Sequence, residues 1–256
     1  MVKLHQIKRP KTLLDVDSHY CAGCGHGFIH RIVAELIDEL DLRGRIVGIA
    51  PVGCAVLAYN YLDIDMSEAA HGRVPSVATG IKRSHPELMV IAYQGDGDLA
   101  SIGTAEIIHA ANRGENYTTI FVNNCIYGMT GGQMAPTTLP GQCTATSPEG
   151  RDTATMGAPL QVCELLNTLN NPYLLVRTAL DGPAGVRTTK KWIREAFLGQ
   201  GADRGFSLIE VLSPCPTYWR MTPEQSMEHI KTTVRKYFPT GVFRNAEKER
   251  GKCLSA

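Results

Sequence analysis

Asp96 and Asp98 stand in a glycine loop, Gly95-Asp96-Gly97-Asp98, and Asn124 follows in the run Val122-Asn123-Asn124-Cys125. A glycine loop between a strand and a helix offers backbone N–H groups to a phosphate, but two aspartates within it repel that anion. A divalent cation resolves the conflict. Mg²⁺ takes octahedral oxygen coordination from few protein ligands plus phosphate oxygens, so one carboxylate, one amide oxygen and one carbonyl suffice to hold it on a diphosphate. Asp96, Asn124 and the Ile126 carbonyl carry the atoms for that set.

The stretch from Gly95 to Ala100 also satisfies the loose G-x-G-x-x-G/A pattern of dinucleotide sites, with Glu115 about 20 residues further on. In that scheme glycine backbones approach a metal-free pyrophosphate, so Asp96 and Asp98 would be costly and the asparagine pair would have no task. A plain Gly/Asp turn is the remaining reading. Together, the carboxylates and Asn124 look like the metal–diphosphate anchor of a thiamine diphosphate enzyme. His71, in His71-Gly72-Arg73, reads alone as a packed or surface histidine and gains interest only from the company the fold gives it.

Cys21-Ala22-Gly23-Cys24 has the spacing that lets two thiolates reach one metal centre, but it is half a site. Cys54 and Cys215 each follow a predicted strand in a glycine or proline turn and could complete it. Four thiolates hold zinc or an iron–sulfur cluster, and ligand count does not choose between them. Beside thiamine diphosphate, whose chemistry leaves an electron-rich carbanion, a redox-active cluster has a task that inert zinc lacks. Cys125, Cys143, Cys163 and Cys253 read as buried or incidental residues.

These residues need strands that end at them. The apolar run Leu88–Tyr93 enters the aspartate loop, a helix follows over Ile102–Ala111, and a buried strand over Thr118–Val122 ends at the asparagines. Upstream, an amphipathic helix over Phe28–Leu40 precedes a strand at Arg45–Ala50 that leads to Cys54. Residues 128–159 lack periodicity and are rich in Gly, Thr, Pro and Ser, as a functional loop facing the cofactor and a partner would be. Beyond it come a helix at Gln161–Leu169, a strand at Tyr173–Thr178, a helix at Lys190–Leu198 and a strand at Phe206–Leu212. A last helix, with Pro223 in its first turn, runs to Phe238. The alternation predicts an α/β fold, a doubly wound and mostly parallel sheet with ligands at the strands' carboxyl ends. One domain is expected over 1–256, with an N-terminal arm to about residue 18 that packs on something else, and a C-terminal helix and tail from about residue 222.

A chain of 256 residues with 43% hydrophobic and 20% charged residues sustains a sizeable core. Its net charge, 26 − 25 = +1, provides no overall field for nucleic acid or an anionic membrane. No apolar run is long enough to span a bilayer and the first residues lack a signal-peptide core, so a cytoplasmic location is expected.

The ordered set Cys21-x-x-Cys24-Gly-His, Gly53-Cys54, His71-Gly-Arg73, Gly95-Asp-Gly-Asp98, Asn123-Asn124-x-x-Tyr127-Gly-Met-Thr-Gly-Gly-Gln133 and Cys215-Pro resembles the β subunit of the 2-oxoacid:ferredoxin oxidoreductases. The resemblance covers nearly all of residues 15–240. It implies the diphosphate-binding type of thiamine diphosphate fold, a 4Fe-4S cluster on Cys21, Cys24, Cys54 and Cys215, and Mg²⁺ on Asp96, Asn124 and the Ile126 carbonyl. Gly53, Cys54, His71, Gly95, Gly97, Asp98, Gly128 and Met129 would surround the cofactor, with His71 as the candidate catalytic side chain. The implied reaction is CoA-dependent oxidative decarboxylation of a 2-oxoacid, with electrons leaving through the cluster to ferredoxin. The implied partners are an α subunit carrying the glutamate that activates the cofactor, γ and ferredoxin-like δ subunits, and ferredoxin. The stretches Ala50–Asn60, Tyr127–Thr138 and Val162–Leu166 look most like the branched-chain, 2-oxoisovalerate subgroup. A 2-oxoglutarate enzyme, with Arg73 or Lys82 as carboxylate binder, is the alternative; a zinc-stapled assembly subunit without turnover is another.

Overall fold

The computed structural model describes residues 8–247. In chain order the first half contains α1 (Gly25–Glu39), β1 (Ile46–Ala50), a 3-10 helix (Cys54–Asn60), β2 (Asp65–Glu68), α2 (Val74–Ser84), β3 (Met89–Gly95), a π-helical turn (Asp98–Ile102), α3 (Thr104–Arg113) and β4 (Thr118–Asn123). The second half contains α4 (Thr153–Met156), α5 (Val162–Asn167), β5 (Leu174–Ala179), α6 (Pro183–Gly201), β6 (Ser207–Leu212), α7 (Pro216–Trp219), α8 (Pro223–His229), α9 (Arg235–Tyr237) and β7 (Gly241–Asn245).

Among the described residues seven strands form one sheet in the order β2-β1-β3-β4-β6-β5-β7. All pairs are parallel except β5 with β7, which is antiparallel. The central strands are buried on both faces, which is why they read as apolar runs. Their side chains alternate between two cores. Ile91, Tyr93, Ile120, Val122, Val176 and Ile209 join the layer of α1 and α6. Val90, Ala92, Phe121, Leu175 and Leu208 join the layer of α2, α3 and α5. Each large apolar side chain so buried contributes about 1.5–3 kcal/mol.

The topology positions the site. Because β2 lies outside β1 while β3 lies on its other side, the winding reverses between β1 and β3, and a crevice opens at the strands' carboxyl ends there. Neighbouring strands then deliver their following residues to that edge: β2 leads to His71, β1 to Gly53 and Cys54, β3 to the 95–98 loop, β4 to Asn124 and Ile126, and β6 to Cys215.

Several elements differ from the sequence expectation. Helix α6 begins at Pro183, two turns before the anticipated Lys190, because Gly182 at φ 146° makes the turn that lets proline enter the first helical position. The last helix is interrupted by a π-helical turn over Ile230–Val234. The described part of the N-terminal arm packs on its own chain: Thr12 Oγ1 donates to Asp38 of α1 at 2.6 Å, and Leu13 bridges to Leu62. No helix among the described residues is long and apolar enough to cross a membrane.

Candidate active site

One cleft is lined by Gly53, Cys54, His71, Gly95, Asp96, Gly97, Asp98, Asn124, Ile126, Gly128 and Met129, together with His26 and Tyr127. The eleven residues expected around a cofactor therefore share one cavity. Gly97 and Gly128 are required by close approach. A Cβ on Gly97 would stand 2.8 Å from the Tyr127 ring, and one on Gly128 would stand 3.2 Å from Cys54 Sγ and 3.7 Å from Cys215 Sγ.

Asp96 is buried and accepts hydrogen bonds from Gly97 N at 2.9 Å, Thr137 Oγ1 at 2.8 Å and Ile126 N at 3.3 Å. Burial outweighs those bonds and pushes its pKa up to about 7. Asn124 Oδ1 lies 3.2 Å from Asp96 Oδ2 and 2.7 Å from the Ile126 carbonyl oxygen. Turned over, the amide would donate to both. Left in place, it forms with them a cluster of oxygens about 3 Å apart, the edge length of an octahedron around an ion with bonds of about 2.1 Å. The donor set fits Mg²⁺. The turn that brings it together is strained at Cys125, a non-glycine residue at φ 59°. Asn123 Oδ1 accepts Cys125 N at 3.2 Å, and the Trp219 indole N–H donates to the Asn124 carbonyl at 3.1 Å.

Asp98 has a different task. Its carboxylate, 1% exposed, accepts from His71 Nδ1, Gly72 N and Gln94 Nε2, each at 2.7 Å. That leaves His71 Nε2 as the free imidazole nitrogen, on a ring that lines the cleft.

The four expected cluster cysteines converge from three turns. Cys24 N donates to Cys21 O at 3.0 Å, and Gly25 N reaches Pro214 O at 3.4 Å, which ties the C-x-x-C turn to the Cys215 turn. Burial pushes the Cys24 thiol up to about 11 and Cys215 up to about 12, and raises Cys54 as well. Mutual repulsion adds to each: Cys24 from Cys54 and Cys21, Cys54 from Cys21, and Cys215 from Cys24 and Cys54. Thiols placed so disfavour ionisation until a metal centre supplies positive charge. Among the described residues no three His, Cys, Asp or Glu side chains stand as a group around a single metal ion. Cys125 and Cys163 are buried elsewhere, Cys143 is exposed, and Cys253 lies outside the described residues.

Residues 51–211 match the family model of the thiamine pyrophosphate enzyme C-terminal TPP binding domain. The chain is 48% identical over 253 residues to the ketoisovalerate oxidoreductase subunit VorA of Methanothermobacter thermautotrophicus, a match covering 95% of this chain and 53% of that protein. It is 35% identical over 217 residues to the 2-oxoglutarate synthase subunit KorB of Archaeoglobus fulgidus, covering 85% of this chain and 77% of that one. The chain belongs to the 2-oxoacid:ferredoxin oxidoreductase family. A solved 2-oxoglutarate:ferredoxin oxidoreductase from Magnetococcus marinus, with 2-oxoglutarate, coenzyme A and succinyl-CoA bound, shares the fold at a TM-score of 0.73 and 26% identity, covering 95% of this chain and 87% of that chain. The chain spans about half the length of the ketoisovalerate relatives it matches, 53% and 52%.

Within this family member, two residues weighed as carboxylate binders are otherwise engaged. Lys82 Nζ donates to the Pro86 and Leu88 carbonyls at 2.6 and 2.8 Å, at the opposite end of β3 from the cleft. Arg73 is ion-paired with Glu106. The cleft wall contains no lysine or arginine among the described residues. Sequence reasoning missed His26, Gln94, Tyr127, Thr137 and Trp219, which hold or line the site. His26 and Tyr127 stood inside the motifs, and Gln94 donates to Asp98 only four residues on, so these three carried a local signal; Thr137 and Trp219 reach the site only through tertiary contacts.

Proposed function

We propose that this chain is the thiamine diphosphate subunit of an enzyme that oxidatively decarboxylates a branched-chain 2-oxoacid, of the 2-oxoisovalerate type, to an acyl-CoA. The observation that carries this reading is the double placement of Cys54, which lines the cofactor cleft and faces Cys215 across Gly128. A thiamine site and a four-thiol site sharing a wall is the arrangement that decarboxylation with electron removal requires.

Asp96, Asn124 and the Ile126 carbonyl would hold Mg²⁺ on the diphosphate, and Cys21, Cys24, Cys54 and Cys215 a 4Fe-4S cluster. Such a cluster would be able to accept electrons beside the cleft, a task that redox-inert zinc cannot perform. Thiamine diphosphate held in the cleft would supply a nucleophilic carbon and an electron sink for decarboxylation. His71, oriented by Asp98, presents Nε2 to accept or return a proton at the substrate oxygen. Gly128 leaves no side chain between cleft and thiols, so a cluster held by those thiols would stand close enough to the cleft to take up electrons. An apolar rim at Val52, Ala55 and Met129, without lysine or arginine, suits an aliphatic tail better than a second carboxylate. The pyrimidine-activating glutamate would come from an α subunit, so turnover needs partners, with γ and ferredoxin-like δ subunits completing the assembly in the cytoplasm.

The test is an anaerobic assay of the purified assembly with CoA and ferredoxin. The proposal expects a higher kcat/KM for 2-oxoisovalerate than for 2-oxoglutarate, loss of thiamine diphosphate on chelating Mg²⁺, and no turnover by this chain alone. A clear preference for 2-oxoglutarate overturns the substrate assignment.

A further inference from the structure

Thr137 connects the irregular segment after β4 to the metal loop. Its buried hydroxyl donates to Asp96 Oδ2 at 2.8 Å, the oxygen that stands 3.2 Å from Asn124 Oδ1. This bond engages one lone pair of the carboxylate and so sets its rotation, leaving the other directions for a cation. Thr138 acts one residue on: its Oγ1 donates to the Cys125 carbonyl at 2.8 Å, inside the turn that presents Asn124 and Ile126. Both threonines are fully buried, yet no helix covers residues 128–152 to hold them there. Something other than secondary structure must hold them.

Arg151 supplies that support. The side chain is 5% exposed in a part of the chain where arginine is usually solvated. Its Nη1 donates to the carbonyls of Ala135, Pro136 and Thr138 at 3.4, 2.8 and 2.7 Å, the residues on either side of Thr137. Its Nη2 and Nε donate to Met156, Gly157 and Ala158 at 3.3, 2.9 and 3.1 Å. Six backbone carbonyls thus converge on one guanidinium. Its own backbone also pairs with Gly141 and Gln142, and Gln142 Nε2 donates to the Cys125 carbonyl at 3.1 Å. A planar fork of five N–H donors can gather two strands of chain in this way; an ammonium cannot.

We propose that Arg151 is the positioning residue of the metal site, acting through Thr137 on the Asp96 carboxylate and through Thr138 on the turn that carries Asn124 and Ile126. The inference rests on the reading of Asp96, Asn124 and Ile126 as Mg²⁺ ligands. It gives the 128–159 segment a second role besides lining the cleft at Gly128 and Met129: a clamp built around one cation that fixes ligand geometry from behind.

The experiment measures thiamine diphosphate binding to the full chain, with any co-purifying subunits, across a Mg²⁺ series by calorimetry. Hydrogen exchange of amides 124–138 and the thermal midpoint of the cofactor-free protein are followed in parallel. Thr137→Val, which keeps shape but removes the donor, is expected to raise the Mg²⁺ concentration for half-maximal binding about 10-fold, with little change in thermal midpoint. Thr137→Ser should restore the wild-type value. Arg151→Lys should raise the Mg²⁺ requirement by at least as much and speed exchange on both sides of Thr137. Wild-type Mg²⁺ dependence in both Thr137→Val and Arg151→Lys overturns the inference, as does a shift in Arg151→Lys without faster exchange. Wild-type protein whose cofactor binding ignores Mg²⁺ overturns the metal reading itself, a separate and recognisable failure.

Discussion

His71 Nδ1 lies 2.7 Å from Asp98 Oδ1, and this contact decides which nitrogen of the imidazole is free in the cleft. Asp98 is held by two further donors, Gly72 N and Gln94 Nε2, so the carboxylate is a fixed base for the ring rather than a free anion beside the diphosphate. Asp98→Asn keeps the size but lets the amide donate to Nδ1, which favours the other tautomer. Turnover is expected to fall about 10²-fold or more while thiamine diphosphate affinity stays close to wild type. Equal losses in cofactor affinity and turnover would show that Asp98 merely builds the loop.

The four-thiol reading separates the cysteines into two groups. Cys54→Ser should remove iron, sulfide and visible colour from the anaerobically purified protein. Cys163→Ser, buried among α5 and the sheet and remote from the cleft, should keep all three. Iron and acid-labile sulfide analysis decides the matter, and a fully coloured Cys54→Ser protein would remove Cys54 from the ligand set.

His30 gives the protein a defined response to acid. Its ring is 2% exposed, packed among Tyr20, His26, Tyr61 and Tyr93, and burial, with a smaller contribution from His26, pushes its pKa down to about 3. Unfolded histidine titrates near about 6.5. Between those values the unfolded chain binds the extra proton, so this stability is full above about pH 6.5 and declines by roughly 1.4 kcal/mol per pH unit as pH falls towards 3. Buried His26, pushed down to about 4, acts in the same direction, and Asp96, pushed up to about 7, acts in the opposite one. The urea midpoint of the cofactor-free chain should therefore fall more steeply from pH 7 to pH 5 than that of His30→Leu. An unchanged slope would mean that His30 is solvated in solution.

Arg177 is fully buried between Glu210, at 2.8 Å, and Glu164, at 2.5 Å, and Glu210 in turn accepts from Asn123 Nδ2 at 2.8 Å. Arg177→Met strands Glu210 in the core and is expected to cost about 3–5 kcal/mol. The thermal midpoint of the variant measures it. Adding Glu210→Gln should recover part of the loss, because the uncompensated charge is then gone; no recovery would contradict a charge-burial origin.

Much of the fold was legible because parallel strands buried on both faces must be apolar along their length, as Leu88–Tyr93 and Phe206–Leu212 are. The edges were not: β2 is the polar Asp65–Glu68, and β7 has no local signal beyond two apolar residues. Helix α2 escaped because its buried face is made of Val74, Pro75, Ala78 and Lys82, too small and mixed to show a period. At the site, residues tied to glycine turns at strand ends were readable one by one, since the chemistry is local to the turn. Thr137, Arg151 and Trp219 were not, because a hydroxyl, a guanidinium and an indole acquire their tasks only from distant chain segments. Lys82 shows the converse: proximity in sequence to His71 placed it near the cleft, whereas the helix between them carries it to the far end of β3.

The most direct test of the central claim, that the thiamine cleft and the four cysteines form one redox centre, is anaerobic mixing of the thiamine diphosphate-loaded assembly with 2-oxoisovalerate and CoA in the absence of ferredoxin. The account predicts that the cluster's visible absorption bleaches on substrate addition and recovers when ferredoxin is supplied. A colourless protein containing stoichiometric zinc, or a coloured one that releases CO₂ without bleaching, would contradict it.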